Sequence, residues 1–232
     1  MHETALFPGL VARMAKRRGG RTHIFETLDA ARTALIVVDL QTFFCDPATS
    51  GGQHTIDIVP AVNTLAAGMR AAGGTVVWIV TTFTEETARS WSTLFEVFCA
   101  PPVRERLLSG LGPDGWGHAL HGDLIVKPGD LTIEKDRFSP FIADASTLHA
   151  DLQARGIDTI VITGTETNVC CESTARDGMM LNYKTIMVSD ANSAHDDSHH
   201  NSALSNVYGF VDVMTSAEVL ARLAPAAQAA AE

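Results

Sequence analysis

Ala34-Leu-Ile-Val-Val38, with Asp39 directly behind it, is the stretch from which the fold is read. Five apolar, mostly β-branched residues in a row do not alternate as a half-exposed strand would. They suit a strand covered on both faces, as in a parallel sheet. Similar runs recur at Thr75-Val-Val-Trp-Ile-Val80, Leu131-Thr-Ile133, Thr159-Ile-Val-Ile162 and Thr185-Ile-Met-Val188, with a shorter one at Phe210-Val-Asp-Val213. Helical patterns lie between most of them. Val59 to Ala72 runs into Gly73-Gly74, a stop signal. Asp144 to Arg155 has Asp144 as a possible N-cap and ends at Gly156. Cys170 to Asn182 and a segment from Ser216 are also predicted helical. This alternation predicts an α/β fold: a doubly wound, mostly parallel six-stranded sheet with helices on both faces.

Residues 31–223 are predicted to form the domain, preceded by an arm over 1–30 and followed by a low-complexity tail over 224–232. The arm carries a basic run, Arg13 to Arg21, read as a solvated segment that packs on a neighbouring subunit. Residues 83–130, rich in Gly, Pro and aromatic residues, read as an irregular insertion over the active site; the alternative is a surface excursion without a role there.

The 232 residues suffice for one well-buried core, and the net charge of -10 excludes a phosphate-backbone partner. No apolar run is long enough to span a membrane, and no signal-peptide pattern follows the basic run. Cys45, Cys99, Cys170 and Cys171 contain no C-x-x-C pair, which fits a cytoplasmic protein with reduced thiols. The chain lacks a phosphate-binding loop, a dinucleotide fingerprint and a serine-hydrolase elbow, so no cofactor is expected. His195, His199 and His200, beside Asp196 and Asp197, read as a polar loop and helix start rather than a metal site; His118 and His121 have no carboxylate at ligand spacing.

In doubly wound sheets ligands bind beyond the carboxyl ends of the strands. Asp39 follows the first run, Lys135 the third, and Gly164 to Cys170 the fourth, so three reactive side chains gather at one sheet edge. Cys170 opens a predicted helix, whose free N–H groups favour a thiolate and a developing oxyanion. Cys171, about 100° further round, belongs to the core. Asp39 suits an acid/base role, and a lysine between carboxylate and thiol would orient both.

Three segments carry a family resemblance: Ala34-Leu-Ile-Val-Val-Asp-Leu-Gln41, Glu134-Lys-Asp-Arg-Phe-Ser139, and Gly164-Thr-Glu-Thr-Asn-Val-Cys-Cys-Glu-Ser-Thr-Ala-Arg-Asp-Gly178. Over about residues 33–215 the chain resembles the isochorismatase-like cysteine hydrolases, and it looks most like the ureidoacrylate and triuret or biuret hydrolases among them. The resemblance implies Cys170 as nucleophile, Asp39 as acid/base, Lys135 as their cationic partner, and the backbone N–H groups of Glu166 and Cys170 as oxyanion site. It also implies a cis peptide bond between Thr165 and Glu166 and a homo-oligomer, dimer or tetramer. The expected reaction is hydrolysis of a small ureido or carbamoyl amide through a thioester. Nicotinamidases of the family carry an Asp-x-His metal pattern that Thr81-Thr-Phe-Thr-Glu-Glu86 lacks, so no metal is expected. Isochorismatases proper replace the nucleophile, so Cys170 argues against vinyl-ether hydrolysis, the alternative activity. A catalytically silent assembly subunit is the other alternative. The expected pocket wall is Gln41, Phe43, Phe83, Trp91, Phe138 and Asn168, suited to a small, flat, polar substrate.

Overall fold

A computed structural model describes residues 1–49 and 52–224. All but the first residue of the expected tail lie outside the described residues. Six strands form one parallel sheet: β2 (Thr33–Val38), β3 (Thr75–Thr81), β4 (Leu131–Lys135), β5 (Thr159–Thr165), β6 (Lys184–Ser193) and β7 (Asp212–Met214), in the order β4-β3-β2-β5-β6-β7. Two-residue strands β1 (Leu28–Asp29) and β8 (Leu223–Ala224) pair separately. The chain winds outward from β2 through β3 to β4. It then returns to the far side of β2 and winds outward again through β5, β6 and β7. The reversal falls between β2 and β5, where a doubly wound sheet opens a crevice.

The unbroken apolar runs serve two cores. Ala34, Ile36 and Val38 face one with Val77, Ile79, Ile160 and Ile162. Leu35 and Val37 face the other with Trp78, Val161 and Val188. The first core is covered by α1 (Leu10–Arg17), α7 (Leu148–Ala154), α8 (Glu172–Met180) and α9 (Asp197–Val207). The second is covered by α4 (Val59–Ala71) and α10 (Ser216–Arg222). The predicted fold class is therefore the observed one. Strand β4 differs from the reading of its run as buried on both faces. It lies at the sheet edge, and its pattern alternates, with Ile133 and Lys135 buried and Thr132 and Glu134 exposed.

Gly73 closes α4 in the left-handed region (φ 85°), as its position predicts. The helix expected from Asp144 starts later. Asp144 itself has φ 65°, and the Leu148 N–H donates to Ser146 Oγ at the start of α7. The N-terminal arm is held against its own domain. Leu10 and Met14 are buried in the first core, and the Ala5 and Phe7 N–H groups donate to Asn201 Oδ1 and Ser205 Oγ of α9. Arg18 of the basic run donates to the Tyr208 carbonyl and covers the Tyr208 ring. Among the described residues no helix is long and apolar enough to cross a membrane.

Candidate active site

Strand register sets the site. Val38 pairs with Ile79 of β3 on one side and with Gly164 of β5 on the other. Thr81 pairs with Lys135. Asp39, Thr81, Lys135 and the turn after Thr165 therefore leave the sheet at neighbouring carboxyl ends. At Gly164 the strands approach so closely that a Cβ would stand 2.0 Å from the Val38 carbonyl oxygen, and φ is 114°. Only glycine fits. Asp39 has φ 54°, a conformation Asp tolerates better than most residues, and its N–H donates to Ile79 O at 3.1 Å. After β5 the Thr165–Glu166 peptide bond is cis. A π-helical turn over Thr167–Cys171 then leads into α8. Cys170 thus sits within the first turn of a helical segment that begins three residues before the predicted start.

These elements bring the three expected residues together in a buried network. Lys135 Nζ donates to Asp39 Oδ2 at 2.8 Å and to Thr81 Oγ1 at 2.6 Å, and lies 3.7 Å from Cys170 Sγ and 3.1 Å from the Arg137 carbonyl. Thr81 Oγ1 passes the interaction on, donating to Asp39 Oδ1 at 2.9 Å. Asp39 is fully buried and Lys135 is 2% exposed. Burial alone would lower the Lys135 pKa. The charge of Asp39 first, then the adjoining Cys170 sulfur and hydrogen bonds to both, outweigh that and raise its pKa. Burial pushes the Cys170 thiol well above its ordinary value; Lys135 opposes this, while Asp39 and Glu166 add to it. Both shifts favour the protonated forms, an ammonium at Lys135 and a thiol at Cys170. Cys171 is fully buried in the first core, as expected of it.

Thr81 is the member of this network that sequence reasoning missed. The available signal was its place at the carboxyl end of a strand, shared with Asp39 and Lys135 of neighbouring strands. Gln41 holds it there. The Gln41 amide accepts from Thr81 N at 2.8 Å and donates to the carbonyls of Thr81 and His118 at 3.0 and 2.7 Å.

A cavity of about 240 Å3 opens over the network, with Thr81, Lys135, Glu166 and Cys170 in its wall. Phe83, Leu94, Leu107 and Leu111 of the insertion line it, so that segment walls the site. Phe44, Phe138 and Val169 complete the lining. Of the six expected wall residues, Phe83 and Phe138 are in place. Gln41 is not in the wall because its amide is spent on the backbone. Phe43 turns to Trp116, 5.4 Å between ring centroids, and leaves the wall to Phe44. Trp91 stands behind Phe138, edge-on at 4.8 Å, and lines an adjoining outer pocket. Asn168 lies in the π-turn outside the wall. The Glu166 carboxyl is pushed above the usual range by burial, which His195 and His199 partly oppose.

The residues considered for metal binding are placed otherwise. His200 is buried in α9, its Nδ1 paired with Thr167 Oγ1 at 2.9 Å, and His199 pairs with Asp196 at 2.8 Å. Among the described residues no three His, Cys, Asp or Glu side chains are grouped to hold a metal ion.

Residues 33–218 match the model of the isochorismatase domain. The chain belongs to the isochorismatase family. Among solved structures, a cysteine hydrolase from Pseudomonas syringae is 29% identical with a TM-score of 0.76, the match covering 86% of this chain and 95% of that one. An isochorismatase family protein from Burkholderia thailandensis is 30% identical with a TM-score of 0.71, covering 86% and 98%. N-carbamoylsarcosine amidase from Thermoplasma acidophilum is 25% identical with a TM-score of 0.63, covering 80% and 96%.

Proposed function

We propose that the protein is a cysteine-dependent amidohydrolase that cleaves the C–N bond of a small ureido or carbamoyl amide through a thioester on Cys170. The observation that carries this is the network itself: the Cys170 thiol and Lys135 ammonium at the floor of a cavity, with the Asp39 carboxyl buried directly behind them. Similarity to an N-carbamoylsarcosine amidase and to a cysteine hydrolase supports the same reading.

The protonated thiol needs a base, and Asp39 is the carboxylate beside it. Asp39 takes the Cys170 proton as Sγ attacks the substrate carbonyl carbon. Negative charge then develops on the carbonyl oxygen, and the backbone N–H groups of Glu166 and Cys170 serve as its donors. As the C–N bond breaks, Asp39 returns the proton to the departing nitrogen, which leaves as ammonia or amine. Water then enters, Asp39 takes one of its protons, and hydroxide adds to the thioester. Collapse releases the acid and restores the thiol with that proton. Lys135 remains an ammonium throughout and neutralises Asp39 without leaving the site, while Thr81 holds both partners in register.

The test is ammonia release from a panel of ureido and carbamoyl amides by the wild-type protein, Cys170→Ala and Cys171→Ala. Cys170→Ala is expected to lose all turnover and Cys171→Ala to keep most of it. Trapping of an acyl adduct by mass spectrometry should place the added mass on Cys170. Substantial turnover by Cys170→Ala refutes the thioester route.

A further inference from the structure

The network consumes nearly all the polarity of the cavity. Thr81, Lys135 and Cys170 form its floor and bond to one another or to Asp39. Beyond them the wall is apolar except for Glu166. Phe44 comes from α2 (Thr42–Cys45), Leu94 from the π-helical segment Thr93–Phe98, and Leu107 and Leu111 from α6 (Pro101–Leu111). Among the described residues no hydrogen-bonding side chain stands on that side to pair with a polar substrate body. Each polar group of such a body would lose its water without compensation.

Size points the same way. A dry cavity of about 150 Å3 lined by Leu, Ile and Phe holds benzene. The 240 Å3 here leaves room for a ring and, beside it, an amide over Cys170. Charge narrows the class further. Lys135, the cation in the described wall, is engaged by Asp39, and the Glu166 carboxyl there has only His195 and His199 to oppose its charge, so an anionic tail in the cavity would find no free cation on the described wall. The guanidinium groups of the outer pocket do not offset this. Arg137 is paired with Asp136 at 3.0 Å and lies over Trp91, and Arg176 is paired with Glu172 at 2.7 Å.

We infer that the site takes a ureide or carboxamide bearing an uncharged, ring-sized apolar group, and rejects one with an anionic tail. This rests on the amidohydrolase reading for its chemistry, though not for its binding preference. The probes are benzylurea, methylurea and N-carbamoylglycine, each followed by ammonia release with the wild-type protein and by calorimetric binding to Cys170→Ala. Benzylurea should exceed methylurea roughly tenfold or more in kcat/KM, the scale on which apolar pockets separate substrates. N-carbamoylglycine should fall below methylurea, and binding to Cys170→Ala should follow the same order. In Leu107→Gln the ratio of benzylurea to methylurea should shrink severalfold. Preference for methylurea or N-carbamoylglycine overturns the inference and leaves the hydrolase reading standing. So does an unchanged ratio in a folded Leu107→Gln. Binding in the expected order without any ammonia release upholds the inference and sinks the hydrolase reading instead.

Discussion

Replacing Lys135 with Met removes the cation and keeps the length of the side chain. Asp39, fully buried, then loses its ammonium at 2.8 Å and keeps the Thr81 hydroxyl at 2.9 Å and the Cys170 thiol, neither of which carries a charge to balance its own. Breaking a buried ion pair from one side costs about 3–5 kcal/mol, mostly for the charge left behind. Domains of this kind are stable by about 5–15 kcal/mol, so Lys135→Met should remain folded with a thin margin. In urea that corresponds to a midpoint lower by about 1–2 M. Asp39→Asn combined with Lys135→Met removes the orphaned charge, and Asn accepts the φ of 54° at this position. The double variant should therefore regain most of the lost stability while neither variant turns over substrate. The assay is urea unfolding followed by tryptophan fluorescence, with ammonia release measured on the same preparations. The reasoning is refuted if Lys135→Met unfolds within about 0.5 kcal/mol of wild type, a change typical of surface substitutions. It is equally refuted if the double variant is no more stable than the single one.

Gly164→Ala would set a Cβ 2.0 Å from Val38 O and 2.7 Å from Val38 N, at a φ closed to most residues. Forcing β2 and β5 apart should cost about 3 kcal/mol or more, from backbone strain and one or two lost ladder bonds. Asp39 is attached directly to Val38, so kcat/KM of the folded fraction should fall about a hundredfold, as for a misplacement of 1 Å. Wild-type stability with wild-type kcat/KM would show that the strands yield freely there. Burial holds His200 at a pKa of about 4, against about 6.5 in the unfolded chain. The unfolded chain therefore takes up this proton first as the pH falls. The contribution of a neutral His200 is complete above pH 6.5 and is lost progressively down to pH 4, a loss of about 3 kcal/mol. His200→Gln should flatten the stability profile over that window; a profile as steep as wild type would exclude His200 as its source.

How far the site could be read in advance follows from which interactions a linear pattern records. The ends of the apolar runs at Asp39, Lys135 and Gly164 are visible as changes of residue type. Parallel pairing turns those ends into neighbours, so the network was foreseeable once the sheet was. Thr81 was not, because a threonine ending a β-branched strand does not stand out from the threonines within it. Its role comes from cross-strand register, Thr81 opposite Lys135, and from a Gln41 amide that reaches it across 40 positions. The wall was the least legible part. It is built by Leu94, Leu107 and Leu111, ordinary apolar residues on short helices inside a segment without strand periodicity. Aromatic residues are the more conspicuous candidates, yet Phe43 packs on Trp116, and Trp91 stands behind Phe138. The division has a physical basis. Asp39 and Lys135 leave the sheet at strand ends, and Cys170 follows β5 by one helical turn, so the backbone of neighbouring elements fixes all three. The surface that selects a substrate needs only shape and polarity, and an insertion can supply those from any apolar residues that fill the space. If the cavity wall selects the substrate as inferred above, a change there such as Leu107→Gln should act on the ratio of substrates rather than on the reaction.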